Sequence, residues 1–306
     1  MPWKRTLILG LAIVTSAAAV AAKTPGSLLT PESSLPMKKT VPVFGQRIAY
    51  YDTGSGPVVV LVHGFASEAR FDWGNVILPL AKRHRVIALD QIGFGASEKP
   101  LIDYSIQTYV DFLGEFLRVL KVNQFTLVGE SLGGWISALY TIEALDPANQ
   151  GAFTLPRPGK LVLEDAAGMA PLGPAPIPVH VTATIAEAKG VAIVFHDKSR
   201  VTDEFVRESF AMKLTANDGS TQRLLFGNPK LSGEVVSGRL SGITIPTLVI
   251  WGGADEIVPL EQGRGYAAGI AGAKLTIVPE CGHAPSIEKP EEFLAAVLPF
   301  IDRPAL

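Results

Sequence analysis

The chain is short of the residues that carry several common chemistries. Among 306 residues there is one cysteine, Cys281, and there are five histidines. A lone thiol cannot close an internal disulfide or furnish a cysteine-based zinc framework. Charge of either sign is sparse: 27 Lys plus Arg stand against 29 Asp plus Glu, for a net charge of −2. That balance lacks the strongly basic footprint of a nucleic-acid binder. The sequence also has no phosphate-cradling G-x-x-x-x-G-K-[ST], no HExxH and no acidic loop with cation-binding spacing. No cofactor, metal or nucleic acid is therefore expected. What the chain does have is apolar bulk, 47% hydrophobic residues, too much for a disordered protein. Its length suits one large domain carrying an insertion.

The amino terminus reads as an address. Lys4 and Arg5 precede an uncharged run, Thr6 to Ala22, with Leu7 to Val14 as its apolar centre and small residues at Ala19 to Ala21. This is the pattern of a secretory signal over residues 1–22, and it predicts a periplasmic or secreted protein. The alternative is an uncleaved anchor that tethers the protein to the membrane, since the run is barely long enough to span one. Otherwise membrane contact is expected only in passing, during export. Residues 23–39, rich in Pro, Ser, Thr and Lys, read as a linker.

Beyond residue 40 strand-like and helix-like segments alternate. Arg47–Tyr51 and Pro57–Val62 read as strands, the second without polar alternation and so buried on both faces. Phe71–Ala81 has helical periodicity, Arg85–Leu89 is another buried strand, and Ser105–Leu120 is an amphipathic helix ahead of the strand Gln124–Val128. The succession predicts an α/β fold, a doubly wound, mostly parallel sheet with helices on both faces.

The end of that last strand carries the chemistry. Gly129-Glu130-Ser131-Leu132-Gly133 fits G-x-S-x-G, and a helical run follows at once. The chain must turn from strand to helix within a few residues, which crowds the neighbours of the central serine; residues without Cβ at 129 and 133 relieve the crowding. The turn presents the Ser131 hydroxyl above a helix N-terminus, where unpaired N–H groups suit a developing oxyanion. A hydroxyl needs a base, and the base an orienting acid. Thr247–Trp251 and Lys274–Val278 read as strands; Asp255 lies in the loop after the first and His283 in the loop after the second. All three residues then sit at the carboxyl edge of the sheet, where doubly wound folds place their sites. His283 would take the serine proton and Asp255 would fix its tautomer.

With these motifs on the page, residues 40–302 resemble the α/β-hydrolase superfamily. His63-Gly64-Phe65 resembles its oxyanion loop, and Asp90-Gln-Ile-Gly-Phe-Gly-Ala-Ser97 a loop of the branch containing epoxide hydrolases, haloalkane dehalogenases, C–C hydrolases and small esterases. The resemblance implies an oxyanion hole from the backbone N–H groups of Phe65 and Leu132, and substrate contacts from His63, Gly64, Phe65, Glu130 and Trp135. For His63 and Glu130 a purely structural hydrogen bond is the plainer reading, and Asp90 is expected to brace its own turn. Asp165, after the strand Leu161–Glu164, rivals Asp255, because some relatives carry the acid there.

Departures within the branch narrow the reaction. Epoxide hydrolases and dehalogenases attack with a carboxylate, whereas here the centre of the turn is Ser131. C–C hydrolases of ring-fission products use serine, but their oxyanion loop usually reads HG-x-GPG, unlike His63–Glu68. Hydrolysis of small to medium apolar esters through an acyl-enzyme is thus expected, with C–C hydrolysis or acyl transfer as alternatives. An inactive binding protein on the same scaffold is the non-enzyme alternative. Residues 168–242 break the sheet rhythm with a Pro-rich exit and helical pieces at 184–194, 202–214 and near 224. They read as a helical cap inserted between two late strands, leaving 40–167 and 243–306 as the hydrolase core. The cap's Val191, Phe195, Phe205, Phe210, Met212, Leu214 and Phe226 are expected mostly to form its own small core.

Overall fold

The computed structural model describes residues 28–149, 151, 153–170 and 180–303. The expected signal, residues 1–22, lies outside them, as does most of the Pro-rich exit. Eight strands form one sheet in the order β1-β2-β4-β3-β5-β6-β7-β8. They are β1 Lys39–Val43, β2 Gln46–Gly54, β3 Val58–Val62, β4 Arg85–Leu89, β5 Phe125–Glu130, β6 Lys160–Glu164, β7 Thr247–Gly252 and β8 Lys274–Val278. β1 pairs antiparallel with β2 and β2 with β4; every later pairing is parallel. The parallel strands β3, β5, β6 and β7 are Val/Leu-rich and buried nearly throughout, as strands covered on both faces must be.

Two apolar layers cover the sheet. One face packs α1 (Ala69–Ala81) and α9 (Pro290–Ile301), through Trp73, Ile77, Leu80, Phe293 and Val297. The other packs α2 (Ile106–Val119), α3 (Ser131–Leu145) and α7 (Leu260–Gly269), through Tyr109, Phe116, Trp135, Leu139 and Tyr266. α2 starts where the sequence supplies a capping box: the Ser105 hydroxyl accepts the Thr108 N–H while the Thr108 side chain accepts the Ser105 N–H.

The cap lies between β6 and β7, as expected. It holds α4 (Ile185–Ala188), α5 (Asp203–Ala216), α6 (Gly219–Phe226) and several 3-10 turns. The helix expected over 184–194 is instead one α turn running into a 3-10 segment, Lys189–Val194. The expected linker also needs correcting. Leu28 and Leu29 are buried against Phe195 and Phe205 of the cap and Ile287 of α8 (Pro285–Glu288), and Lys39 already belongs to β1. Lys38 donates to Asp90 at 2.7 Å. The described part of 23–39 is therefore packed structure, fastened by apolar side chains that its polar composition hid. Among the described residues, no helix is long and apolar enough to cross a membrane.

Gly133 shows how tightly α3 sits on the sheet. A Cβ there would collide with the carbonyl oxygens of Val62 and His63. Backbone cannot move aside as a side chain can, so Gly133→Ala is expected to lower the unfolding free energy by about 1–3 kcal/mol, measured by urea denaturation.

Candidate active site

Four strand ends build the site. β5 runs directly into α3, and the junction residue Ser131 has φ 50°, a left-handed conformation that costs a non-glycine residue about 1–3 kcal/mol and persists only under tertiary constraint. Here the constraint is visible: the Ser131 carbonyl accepts the Ala167 N–H at 3.0 Å, and a Cβ on Gly129 would strike the Gly133 carbonyl. β7 ends at Gly252 and its loop holds Asp255; β8 ends at Val278 and its loop holds His283.

These residues form a continuous relay. His283 Nε2 lies 2.8 Å from Ser131 Oγ, and His283 Nδ1 lies 2.8 Å from Asp255 Oδ2. The other oxygen of Asp255 accepts the N–H groups of Ile257 and Val258 at 2.7 and 3.0 Å. With Asp255 fixed in this way, Nδ1 carries a proton and Nε2 is left to accept the serine's. The cap helps hold the base: the His283 N–H donates to the Val194 carbonyl at 2.7 Å. Buried Glu288 accepts the Gly282 N–H at 2.7 Å and the N–H groups of His196 and Asp197.

Asp165 does not replace Asp255; it stands behind it. Its carboxyl accepts the Gly252 N–H at 2.8 Å and contacts the Asp255 carboxyl. Burial, then the Asp255 charge, then Glu164 push the Asp165 carboxyl well above the usual carboxylate range. Asp165, Asp255 and His283 offer ligand-type atoms within 4.8 Å of one another, but the two imidazole nitrogens and the facing Asp255 oxygen are already engaged in the hydrogen bonds of the relay.

A cavity of about 310 Å³ opens over Ser131 and His283. Apolar wall comes from Phe65, Phe71, Val191, Phe210, Met212 and Ile287, polar wall from Glu68, Asp72, Glu130, Glu187, Lys213 and Asp218. Burial, then the Asp90 charge, raise the Glu68 carboxyl to about 7. Burial lowers the Lys213 amine, which donates to the Ala66 carbonyl at 2.6 Å. The cap's aromatics divide their work. Phe195 and Phe205 form its small core, whereas Val191, Phe210 and Met212 reach the cavity and Leu214 faces solvent. Phe226 packs edge-on against Phe65 with ring centroids 4.4 Å apart.

The expected substrate contacts separate accordingly. Phe65 lines the cavity. Gly64 does not, but it lies so close to the Glu130 carboxyl that a Cβ would collide with it. His63 is buried away from the cavity: its Nδ1 donates to the Gly64 carbonyl at 2.8 Å and its Nε2 accepts the Gln91 N–H at 2.9 Å. Trp135 points into the core, its indole N–H donating to the Glu234 carbonyl at 2.8 Å. Neither touches the cavity, because apolar packing and backbone hydrogen bonds take up the whole ring in each case. Glu130, one of the implied substrate contacts, lines the cavity, with Oε1 at 3.4 Å from His283 Nε2. Asp90 braces its turn as expected, accepting the Ala69 and Ala96 N–H groups. Sequence reasoning passed over Asp72 and Lys213; an acid set between Phe71 and Trp73 on an apolar helix was the available signal for the first.

Leu132 is the second residue of α3, so its N–H belongs to the first helical turn, which has no carbonyl partner within the helix. Cys281 is buried, and burial pushes its thiol well up, as for an inert packing residue.

The chain is similar to known proteins over most of its length. The sequence profile described as "Alpha/beta hydrolase family" matches residues 59–296. The 2-hydroxy-6-oxo-6-(2'-aminophenyl)hexa-2,4-dienoic acid hydrolase of Metapseudomonas resinovorans is 29% identical over 273 residues, 85% of this chain and 89% of that protein. A meta-cleavage product hydrolase from Pseudomonas fluorescens superposes with a TM-score of 0.75 at 26% identity, covering 86% of this chain and 97% of that one. An N-acyl homoserine lactone degrading enzyme superposes with a TM-score of 0.71 at 25% identity, covering 86% and 100%.

Asp255→Asn is expected to lower kcat by roughly 10⁴-fold, since the wrong tautomer of His283 is then favoured. Asp165→Asn, which leaves the Asp255–His283 contact in place, is expected to cost far less. Steady-state kinetics of the two variants check the assignment of the acid.

Proposed function

Since the chain belongs to the alpha/beta hydrolase family, we propose that it is a serine hydrolase acting on neutral carboxylic esters of apolar acyl groups. Ser131 attacks the carbonyl carbon while His283 takes its proton, and Asp255 stabilises the imidazolium. The N–H groups of Phe65 and Leu132 receive the oxyanion, each such donor contributing about 2.7–4 kcal/mol. His283 then returns the proton to the leaving alcohol. Water, activated by the same imidazole, releases the acid from the acyl-enzyme.

The observation that carries the ester reading is the makeup of the cavity wall. Five acidic side chains, Glu68, Asp72, Glu130, Glu187 and Asp218, share it with a single lysine among the described residues, Lys213. A substrate carboxylate would find one ammonium partner there, already turned to the Ala66 carbonyl, whereas Phe65, Phe71, Val191, Phe210, Met212 and Ile287 suit an uncharged acyl chain.

A second reading has its own support. Two of the relatives named above are hydrolases of dienoic acids or meta-cleavage products, so likeness alone favours C–C cleavage over ester cleavage. In that reading Lys213 is the group that would meet the substrate carboxylate. A substrate panel decides between them: p-nitrophenyl esters of increasing chain length beside a ring-fission dienoate. The ester reading expects turnover of the neutral esters that disappears in Ser131→Ala. A dienoate consumed faster than any ester would reverse the order of the two readings, and no turnover at all would return the chain to a binding role.

The export signal remains part of this proposal. Fractionation and amino-terminal sequencing of the mature protein test it: the expected new terminus follows Ala22, and an intact membrane-bound chain would favour the tether.

A further inference from the structure

The nitrogen that serves Ser131 has a second neighbour. Glu130 Oε1 lies 3.4 Å from His283 Nε2, which Ser131 Oγ approaches at 2.8 Å. An ionised carboxylate at that distance favours the imidazolium and draws its Nε2 proton. A histidine held in that form cannot accept the proton of the serine. The relay therefore requires a neutral Glu130.

Asp72 supplies the means. It projects from α1 against the other side of Glu130, its Oδ2 accepting the Gly64 N–H at 2.6 Å and its Oδ1 the Ser67 hydroxyl at 2.5 Å. The Glu130 carboxyl is packed on Gly64, the same residue whose N–H Asp72 accepts, so the two acids are buried neighbours and do not both ionise. The member with fixed donors is the better anion, and here both donors belong to Asp72. The remaining charges around the pair act in the same direction or stand apart. Glu164 and Asp165 at the end of β6 are further buried acids near Glu130, and any charge they took would disfavour its ionisation. Glu68 and Asp218 line the same cavity, and the Lys213 ammonium is turned to the Ala66 carbonyl. His283 faces Asp255 through its other nitrogen.

We propose that Asp72 is a positioning residue for the base: by holding the proton on Glu130 it leaves His283 Nε2 to Ser131. The inference rests on the Ser131–His283 chemistry proposed above and holds for ester and C–C substrates alike. Burial and the Asp72 charge both drive the Glu130 carboxyl far above its ordinary range, in keeping with a neutral side chain.

The test follows the titration of the His283 imidazole by NMR, with the acid limb of kcat/KM measured alongside. Asp72→Asn removes the neighbouring anion and places an amide donor beside Glu130. Glu130 then ionises, and the His283 midpoint is expected to rise by about one pH unit or more. Adding Glu130→Gln to that variant returns the midpoint to its original position. Glu130→Gln alone leaves it in place, because one neutral side chain replaces another. A midpoint that falls in Glu130→Gln alone would show an ionised Glu130 in the native protein and overturn the proposal. So would an unmoved midpoint in Asp72→Asn, or a shift that the double variant retains. Should Asp72→Asn fail to fold, Glu130→Gln alone decides. Because the NMR titration needs no turnover, an inactive but correctly titrating protein would count against the hydrolase reading and not against this one.

Discussion

One hydrogen bond organises this molecule, the 2.8 Å contact between His283 Nε2 and Ser131 Oγ, made by residues 152 positions apart in the chain. It exists because β5 and β8 deliver their carboxyl ends to the same edge of one parallel sheet. It also exists because the β5–α3 junction accepts a strained serine. Neither condition is local. The left-handed backbone at Ser131 survives through the close seating of α3 on β3, which two glycines permit. The histidine loop is held from outside as well, by the Val194 carbonyl of the cap and by Glu288. Sheet, helix and cap thus fix a single proton path.

The site is unusual in how many carboxyl groups it gathers in a dry volume. Glu130 sits against Asp72 and Asp165 against Asp255, while Glu164, raised to about 8 chiefly by burial, accepts the Ser286 N–H at 2.6 Å. Adjacent buried carboxyls cannot all ionise. In the pair formed with Asp72 we place the proton on Glu130, while Asp255 orients the imidazole from its other nitrogen. Between them the histidine keeps one nitrogen protonated and the other free.

The sequence disclosed the parts of this account that depend on short-range pattern. Unbroken apolar runs marked β3, β4 and β7, and the glycine spacing around Ser131 marked the strand-to-helix turn. Asp255 and His283 followed from their places just beyond two strands. What stayed hidden depends on which way a side chain turns. Trp135 is on the helix that carries Ser131, yet helical rotation points it into the core. Glu130 is next to Ser131, yet the strained turn swings it into the cavity instead of away. The segment from Leu28 to Lys38 looked like a linker because its few apolar residues find their partners in the cap, more than 150 positions later. Asp72 was missed for a similar reason: only the folded chain brings it against Glu130.

The central claim is that Ser131 is a nucleophile activated by His283. Fluorophosphonate labelling followed by peptide mass mapping tests it most directly, because the reagent bonds only to a serine whose proton is taken by a base. The account predicts stoichiometric modification at Ser131, and its near-complete loss in His283→Ala. An unmodified protein, or a label that persists without the imidazole, would contradict it.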